Sequence, residues 1–170
     1  TTGDTDVTGS FRNSAAAQFG SSFDDGSGYN FEYDFVAGAG TYYVAVSAGS
    51  TAINTGNYRL HLRAPQNAAP FNGPNLNAEL TVPGEIHLYR FPMESTSPVI
   101  LYTTGDMDTK GELYNAGGSF VRSSFDDGAG YNFSMEDVLS AGNSWYLLVR
   151  GGTTALNTGS YTLSQRKYSN

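Results

Sequence analysis

Short runs of alternating apolar and polar residues recur along the chain. In Tyr29–Val36, aromatic side chains occupy every second position from 29 to 35, which is typical of a half-buried β-strand. Gly40–Val46 is rich in β-branched and aromatic residues and predicts a central strand. The same reasoning predicts further strands at Val7–Arg12, Gln18–Ser22 and Tyr58–Arg63, and later at Glu79–Val82, Glu85–Phe91, Val99–Thr103, Ser144–Arg150 and Tyr161–Gln165.

No window predicts a helix, because Ser14–Gln18, the best helix-forming stretch, is too short to nucleate one. With 21 Gly, 12 Tyr and 10 Phe among 170 residues, the chain is predicted to be all-β, with antiparallel strands and many turns.

A segment without hydrophobic periodicity divides the predicted strands. Residues 64–77 contain three prolines and an Asn-Gly pair, which is typical of a linker. The predicted organisation is therefore a first body at 1–63, a linker at 64–77 and a second body at 78–170.

The two bodies are related by an internal duplication. Ser21–Phe31 returns as Ser123–Phe133 with one change in eleven positions, and residues 1–40 match residues 103–142 at 20 of 40 positions. A one-residue shift then aligns Asn54-Thr-Gly with Asn157-Thr-Gly. The strands predicted between 79 and 103 have no counterpart in the first copy. That copy is therefore expected to lack its N-terminal strands and to leave an apolar face open.

Charge and cysteine content narrow the possible partners. The formal net charge of −7, with only nine Lys and Arg, argues against nucleic-acid binding. The sequence has no Cys and no apolar run that approaches the roughly 20 residues of a membrane span. Low Lys and abundant Thr, Ser, Gly and Asn favour a processed, extracellular product.

The order of the repeated motifs resembles the bacterial pre-peptidase C-terminal domain. These motifs are Thr-Gly-Asp-x-Asp, then Asp-Asp-Gly-x-Gly-Tyr-Asn-Phe, then Ala39–Val46 and Thr-Gly-x-Tyr-x-Leu. The resemblance covers both copies. It implies two jelly-roll-like β-sandwich repeats that are non-catalytic and appended to exported proteins. Related modules of collagenases bind collagen and calcium, which makes calcium the implied cofactor.

Two acidic pairs recur in each copy, one at the start of a strand and one at the end of its hairpin partner. They are expected to meet at one sheet edge, where calcium would offset their mutual repulsion. The alternative is that these aspartates cap turns. The predicted calcium ligands are Asp4, Asp6, Asp24 and Asp25 in the first copy, and Asp106, Asp108, Asp126 and Asp127 in the second.

No catalytic pattern stands out. His61 and His87 lie on separate predicted strands without zinc-ligand spacing. No Gly-x-Ser-x-Gly motif or thiol nucleophile is present. Glu85 and Glu94 are read as solvated acids on strand faces. The chain is therefore predicted not to be an enzyme.

Aromatic side chains could instead bind a polymer by stacking. Phe31, Phe133 and Trp145 are predicted to be core residues, whereas Tyr42 and Tyr114 are the candidates for an exposed ligand-binding face. The predicted function is a calcium-stabilised extracellular module that binds or anchors to a polymer or surface. The alternatives are a subunit of an extracellular fibre or layer, assembled as a homo-oligomer through the open face of the first repeat, and a tail processed from a protease.

Overall fold

The regular secondary structure of the described residues consists of β-strands. A computed structural model describes residues 1–26, 28–50, 55–62, 68–152 and 157–168. In these ranges no residue is helical, and no helix could therefore cross a membrane. The strands, in chain order, are β1 (Val7–Arg12), β2 (Gln18–Phe23), β3 (Tyr43–Ala48), β4 (Ala69–Pro70), β5 (Asn75–Leu80), β6 (His87–Pro92), β7 (Ser97–Thr104), β8 (Thr109–Tyr114), β9 (Phe120–Phe125), β10 (Ser134–Leu139), β11 (Ser144–Gly151) and β12 (Gly159–Lys167).

The chain separates into two compact units, Thr1–Leu62 (unit 1) and Arg63–Asn170 (unit 2). Every strand pairing between named elements is antiparallel except the short β4–β6 pairing. The predicted fold class, all-β with antiparallel sheets, is confirmed.

Unit 2 is a β-sandwich. One sheet has the strand order β10-β7-β12-β5, and the other has the order β4-β6-β11-β8-β9. Side chains from both sheets meet in one core cluster, because successive residues of a strand point to opposite faces. The members that are at most 1% exposed are Leu80, Phe91, Val99, Leu101, Leu113, Phe133, Leu139, Leu147, Val149 and Leu163.

Unit 1 has one sheet of the order β2-β1-β3. Its core is small. Val7, Phe11 and Phe31 are buried, and three partly buried side chains pack against them. An isolated bridge between Thr2 and Arg59 adds the one further pairing described in this unit.

The strand pairing of unit 1 repeats that of unit 2. Gly9 lies opposite Val46 in the β1–β3 pair, and Gly111 lies opposite Val149 in the β8–β11 pair. Both hairpins, β1–β2 and β8–β9, shift register at the equivalent position near the end of their first strand. The duplicated sequence therefore forms the same three strand neighbours twice.

A glycine is required at the centre of each repeat because an aromatic ring occupies the space of its side chain. A Cβ on Gly9 would lie 2.7 Å from the ring of Phe31, and a Cβ on Gly111 would lie 2.7 Å from the ring of Phe133. The phenylalanine of the repeated Asn-Phe thus packs its ring directly against β1 in unit 1 and β8 in unit 2, the middle strand of the three that the units share.

Three strand predictions in unit 1 are wrong in whole or in part. Of Tyr58–Arg63, the structure describes 58–62, where only Arg59 pairs, in the isolated bridge to Thr2. Tyr29–Val36 alternates as expected, yet none of its described residues is in a strand. The equivalent strand of unit 2, β10, forms because β7 pairs with it along six residues, whereas only Thr1 and Thr2 of unit 1 align with β7. Gly40–Val46 was expected to be central, but β3 lies at the edge of its sheet.

Residues 68–77 of the predicted linker 64–77 belong to unit 2. Within residues 64–77, the structure describes 68–77. This stretch includes all of β4 and the start of β5, and the side chain of Phe71 is only 2% exposed in the core of unit 2. The apolar periodicity misses Phe71 because the next large apolar residue, Leu76, is five positions away in a Pro- and Asn-rich stretch.

Candidate functional site

The repeated Asp-Asp-Gly motif closes a turn after β2 and after β9. In unit 2, Oδ2 of Asp127 accepts hydrogen bonds from the Ser124 hydroxyl at 2.7 Å and from the Phe125 N–H at 3.3 Å. In unit 1, Asp25 accepts the same two bonds, at 2.7 and 3.2 Å, from the equivalent serine and phenylalanine. The second aspartate of each pair therefore accepts hydrogen bonds from the residues two and three positions before it, and so closes the turn locally.

The serine of this motif links two chain segments. The buried Ser124 hydroxyl also lies 2.7 Å from the carbonyl of Ser134 and accepts the N–H of Ser134 at 3.0 Å. In unit 1 the buried Ser22 makes the equivalent contacts with Glu32 at 2.6 and 3.2 Å. Each serine thus holds the chain that follows the motif against the hairpin.

The asparagine of the motif completes the arrangement. Asn132 is 2% exposed and donates from Nδ2 to the carbonyls of Gly105 and Ala129, both at 2.9 Å. The backbone carbonyl of Asn132 accepts the N–H of Gly128 at 2.9 Å. We call the set Ser124, Asp127, Asn132 and Ser134 the turn clasp of unit 2, and Ser22, Asp25, Asn30 and Glu32 the turn clasp of unit 1.

The first aspartate of each Asp-Asp pair has a backbone role. Asp24 and Asp126 have φ of 54° and 57°, in the left-handed region that Asp tolerates better than most residues. Their side chains are exposed. The alternative interpretation, that these aspartates shape turns, therefore accounts for both Asp-Asp pairs.

The inner aspartate of each Asp-x-Asp pair points away from the Asp-Asp turn, toward the loop that follows β3 or β11. Asp6 is fully buried, its carbonyl accepts the N–H of Gly49 at 3.0 Å, and its carboxylate occupies the space beside Gly49, where a Cβ would lie 1.6 Å from Oδ1. Asp108 lies beside Gly152 in the same way and accepts a hydrogen bond from Nδ2 of Asn157 at 3.4 Å. The outer aspartates of the pairs, at 4 and 106, are exposed.

Both acidic pairs of a unit lie at the same end of their hairpin, since Thr8 pairs with Phe23 and Lys110 with Phe125. In the described parts of the chain, however, no three acidic or histidine side chains are grouped so that they could hold a metal ion. Asp6 faces the loop after β3, whereas Asp25 turns back toward β2. The aspartates therefore do not fit the four-carboxylate arrangement, and calcium binding stays a prediction.

The two tyrosines proposed for ligand binding differ in exposure. Tyr42 is 39% exposed, and its ring contacts those of Phe19 and Phe35, with centroids 6.0 and 5.6 Å apart. Tyr114 is only 1% exposed, so its expected exposure is wrong. Its hydroxyl donates to Oε2 of Glu112 at 2.7 Å, and the ring of Phe120 packs against it edge-on. The three aromatics predicted for the core, Phe31, Phe133 and Trp145, are at most 9% exposed.

A polar network in unit 2 was missed at the sequence level. His87 Nδ1 lies 2.7 Å from the hydroxyl of Tyr161 and 3.1 Å from that of Tyr89, and the two hydroxyls lie 2.7 Å apart. His87 Nε2 lies 3.2 Å from Oε1 of Glu85. Because a carboxylate only accepts, Nε2 of His87 donates to Glu85.

This network joins the two sheets, since Tyr161 is on β12 and Tyr89 is on β6. Burial raises the pKa of both tyrosines, that of Tyr161 far above its usual range. The pKa of Glu85 is lowered to about 2, chiefly by the hydrogen bond from the Thr81 N–H. The spacing Glu85-x-His87-x-Tyr89 could have predicted this polar network from the sequence, because alternate residues of a strand share a face. Glu85 therefore accepts hydrogen bonds from the turn between β5 and β6, and its side chain is also partly solvated.

A shallow groove of about 870 Å³ lies beside this network in unit 2. Its wall includes Tyr161 and exposed polar residues of β5, the end of β7 and β12. Besides Tyr161, the polar lining comprises Asn77, Glu79, Thr104, Asp106, Thr158, Ser160 and Thr162. These groups offer amide and hydroxyl hydrogen bonds, but no arrangement of nucleophile and base.

Comparison with known proteins supports the fold. The sequence matches no protein-family model and no curated protein. Among solved structures, the chain is similar to the pre-peptidase C-terminal domain of a collagenase from Bacillus anthracis. The TM-score is 0.50 at 15% identity, and the match covers 62% of this chain and 100% of that domain.

The chain contains a pre-peptidase C-terminal-like fold. It is also similar to PliG, a periplasmic inhibitor of g-type lysozyme from Aeromonas hydrophila, with a TM-score of 0.45 and 12% identity. That match covers 58% of this chain and 96% of the inhibitor. At these identities the likeness concerns the fold alone.

Proposed function

We propose that this chain is a non-catalytic extracellular module that binds or anchors to a polymer or surface. The observation that carries the proposal is the likeness of its fold to a domain of a collagenase. A domain of this kind would hold an attached enzyme near its insoluble substrate. Its own groups need only to bind, and this agrees with the arrangement at His87, whose neighbouring hydroxyls are held protonated by burial.

The aromatic cluster of unit 1 is the best candidate for the binding surface. Phe19 and Tyr42 are 40% and 39% exposed, and both contact the ring of Phe35. Neighbouring rings that are half open to solvent can stack on the sugar rings or imino-acid rings of a polymer. We keep Tyr42 as a ligand-binding residue, whereas the burial of Tyr114 gives it no free ring face.

A pull-down on insoluble collagen, cellulose and chitin tests this proposal. The chain should be retained on at least one polymer. The Phe19→Ala, Tyr42→Ala double variant should lose most of that retention, because the stacking surface is removed. Tyr131→Ala is the matched control, since its ring is 67% exposed and contacts no other described ring. Equal retention of the double variant and the control would reject this surface. Binding to none of the polymers would count against the anchoring function.

Calcium stabilisation is the second part of the proposal, and it comes from the sequence. The exposed carboxylates at 4, 24, 106 and 126 are the ones free of the turn contacts described above. They would have to recruit backbone oxygens or water to reach the roughly 6–8 oxygen ligands that calcium prefers. A melting temperature that rises on adding calcium to EDTA-treated protein would support binding. Identical melting curves would reject it.

A second function, as a subunit of an extracellular fibre or layer, is favoured by the open face of unit 1. Val44, on the core side of β3, is 38% exposed. Tyr43, Leu60 and Leu62 of the same unit are 53%, 49% and 91% exposed. Exposed apolar side chains of this number mark interaction surfaces. Size-exclusion chromatography and electron microscopy at micromolar concentration test assembly. Oligomers or filaments would support it, and monomers at all concentrations would contradict it.

A further inference from the structure

Among the described strands, β3 of unit 1 has one hydrogen-bonded neighbour, whereas its counterpart in unit 2 has two. In the sheet order β2-β1-β3, strand β3 is at the edge of the described sheet. Its counterpart β11 pairs with β8 on one side and with β6 on the other. Since β1 and β8 are equivalent, the position that β6 fills in unit 2 is the open edge of β3 in unit 1.

The core-facing side chains of β3 are more exposed than their equivalents in β11. Val44 lies opposite Phe11 and so faces the small core, yet it is 38% exposed. The equivalent residue of unit 2, Leu147, lies opposite Tyr89 of β6 and is fully buried. The neighbouring strand therefore provides cover for the core in unit 2 that the edge of unit 1 does not have.

The backbone groups of β3 can be assigned to its two sides. The N–H of Gly49 donates to the carbonyl of Asp6, so Gly49 faces β1. Because backbone groups alternate between the sides of a strand, the N–H and C=O groups of Val44 and Val46 face away from β1. In unit 2, the N–H of Gly152 donates to Asp108 in the same way. The equivalents of Val44 and Val46 there bond to β6.

We propose that β3 accepts an antiparallel β-strand from another polypeptide, a strand with apolar side chains at alternate positions as in β6. This deepens the second candidate function and rests on it. The β6 strand of a second copy is not the donor, because Tyr89 and Phe91 are buried in the core of their own unit 2, at 3% and 1% exposure. The partner is a different extended segment with the same chemistry, which adds to an open sheet edge.

The β6 sequence supplies a probe with a built-in control. The N–H of Met93 donates to Asn143, beyond the start of β11, whereas the carbonyl of Arg90 accepts the N–H of Phe71 on the opposite side. By alternation, the amides of Tyr89 and Phe91 face β11, and those of Leu88 and Arg90 face away from it. A capped peptide of residues 85–93 should bind β3. N-methylation at 89 and 91 should block binding, and N-methylation at 88 and 90 should not.

The experiment is a fluorescence anisotropy titration of the three labelled peptides with the full chain. The parent peptide and the 88/90-methylated control should bind alike. The 89/91-methylated peptide should bind at least about tenfold more weakly, since two backbone hydrogen bonds are lost. The proposal is overturned if the parent peptide does not bind at millimolar concentration, or if both methylated peptides bind equally.

A chain variant gives an independent readout. Val44→Pro removes one outward-facing N–H from β3, and an edge strand tolerates proline at such a position. It should weaken binding of the parent peptide, whereas Val44→Ile should leave binding within about twofold. Circular dichroism checks that both variants are folded. Oligomers in size-exclusion without peptide binding would overturn strand addition and leave the assembly function standing. Monomers that bind no peptide would reject both.

Discussion

Ser124→Ala should destabilise unit 2 because the turn clasp depends on this hydroxyl. The hydroxyl proton lies between the carboxylate of Asp127 and the carbonyl of Ser134, and the oxygen accepts the Ser134 N–H. Ser124 is 4% exposed, so water cannot replace these partners. Its neighbour Ser123 is exposed in the same strand, and Ser123→Ala is the matched control.

The magnitude follows from the bonds that are lost. A neutral hydrogen bond contributes about 1 kcal/mol, and one to a charged group contributes about 1.5–3 kcal/mol. The loss of the bond donated to Asp127 and the bond accepted from Ser134 should cost about 3 kcal/mol. At a urea slope of about 2 kcal/mol per molar, the unfolding midpoint should fall by about 1.5 M.

The fluorescence of Trp145 reports on the unfolding of unit 2 alone. Trp145 is the single tryptophan of the chain, and it is 9% exposed in the core of unit 2. Urea unfolding followed by its fluorescence should give a lower midpoint for Ser124→Ala and an unchanged midpoint for Ser123→Ala. The difference should be the same in EDTA and in calcium. Equal midpoints for the two variants would refute the clasp. A difference seen only in calcium would show that Asp127 acts through a metal ion.

Three further predictions concern other contacts of the two units. Glu85→Gln should destabilise unit 2 by about 1 kcal/mol near pH 7, after allowance for solvent screening. Because the folded pKa of Glu85 is lowered to about 2, the difference between the two proteins should be full above about pH 4.5 and vanish as the pH falls toward 2; a constant difference would contradict this. Gly152→Ala should cost about 2 kcal/mol by overpacking, since its Cβ would lie 1.6 Å from Oδ1 of Asp108. Gly73→Ala is the control, with no contact closer than 3.7 Å, and equal urea midpoints would refute the clash. Phe133→Ala should cost about 3–5 kcal/mol, and a loss below about 1 kcal/mol would show that this fully buried ring does not support the sandwich.

The sequence predicted the strands that carry strong local signals. Val7–Arg12 was predicted with the bounds that β1 has, and Ser144–Arg150 with the start and all but the last residue of β11. The alternation in Tyr29–Val36 was real but insufficient, because a strand also needs a neighbour to bond with, and the described residues of unit 1 provide none there. Pattern alone reports which face would be buried, not whether a partner is present.

The candidate site was harder to predict for a related reason. The predicted hairpins place the two acidic pairs of a copy at the same end, and the structure has them there. Side-chain direction then separated them, because the carboxylate of Asp6 lies beside Gly49 while that of Asp25 binds Ser22. Which way an aspartate turns is decided by nearby N–H and O–H donors, and those donors become visible only once the turn is folded.

Amide hydrogen exchange tests the central claim. The two units form the same three-strand arrangement, but among the described residues the strand equivalent to β3 has a neighbour on both sides in unit 2 alone. In β11, the amides of Leu147 and Val149 should exchange slowly because they bond to β6. In β3, the amides of Val44 and Val46 should exchange faster than those of Ala45 and Ser47, which face β1, by at least about tenfold. Equal protection of all four β3 amides in the isolated monomer would contradict the account.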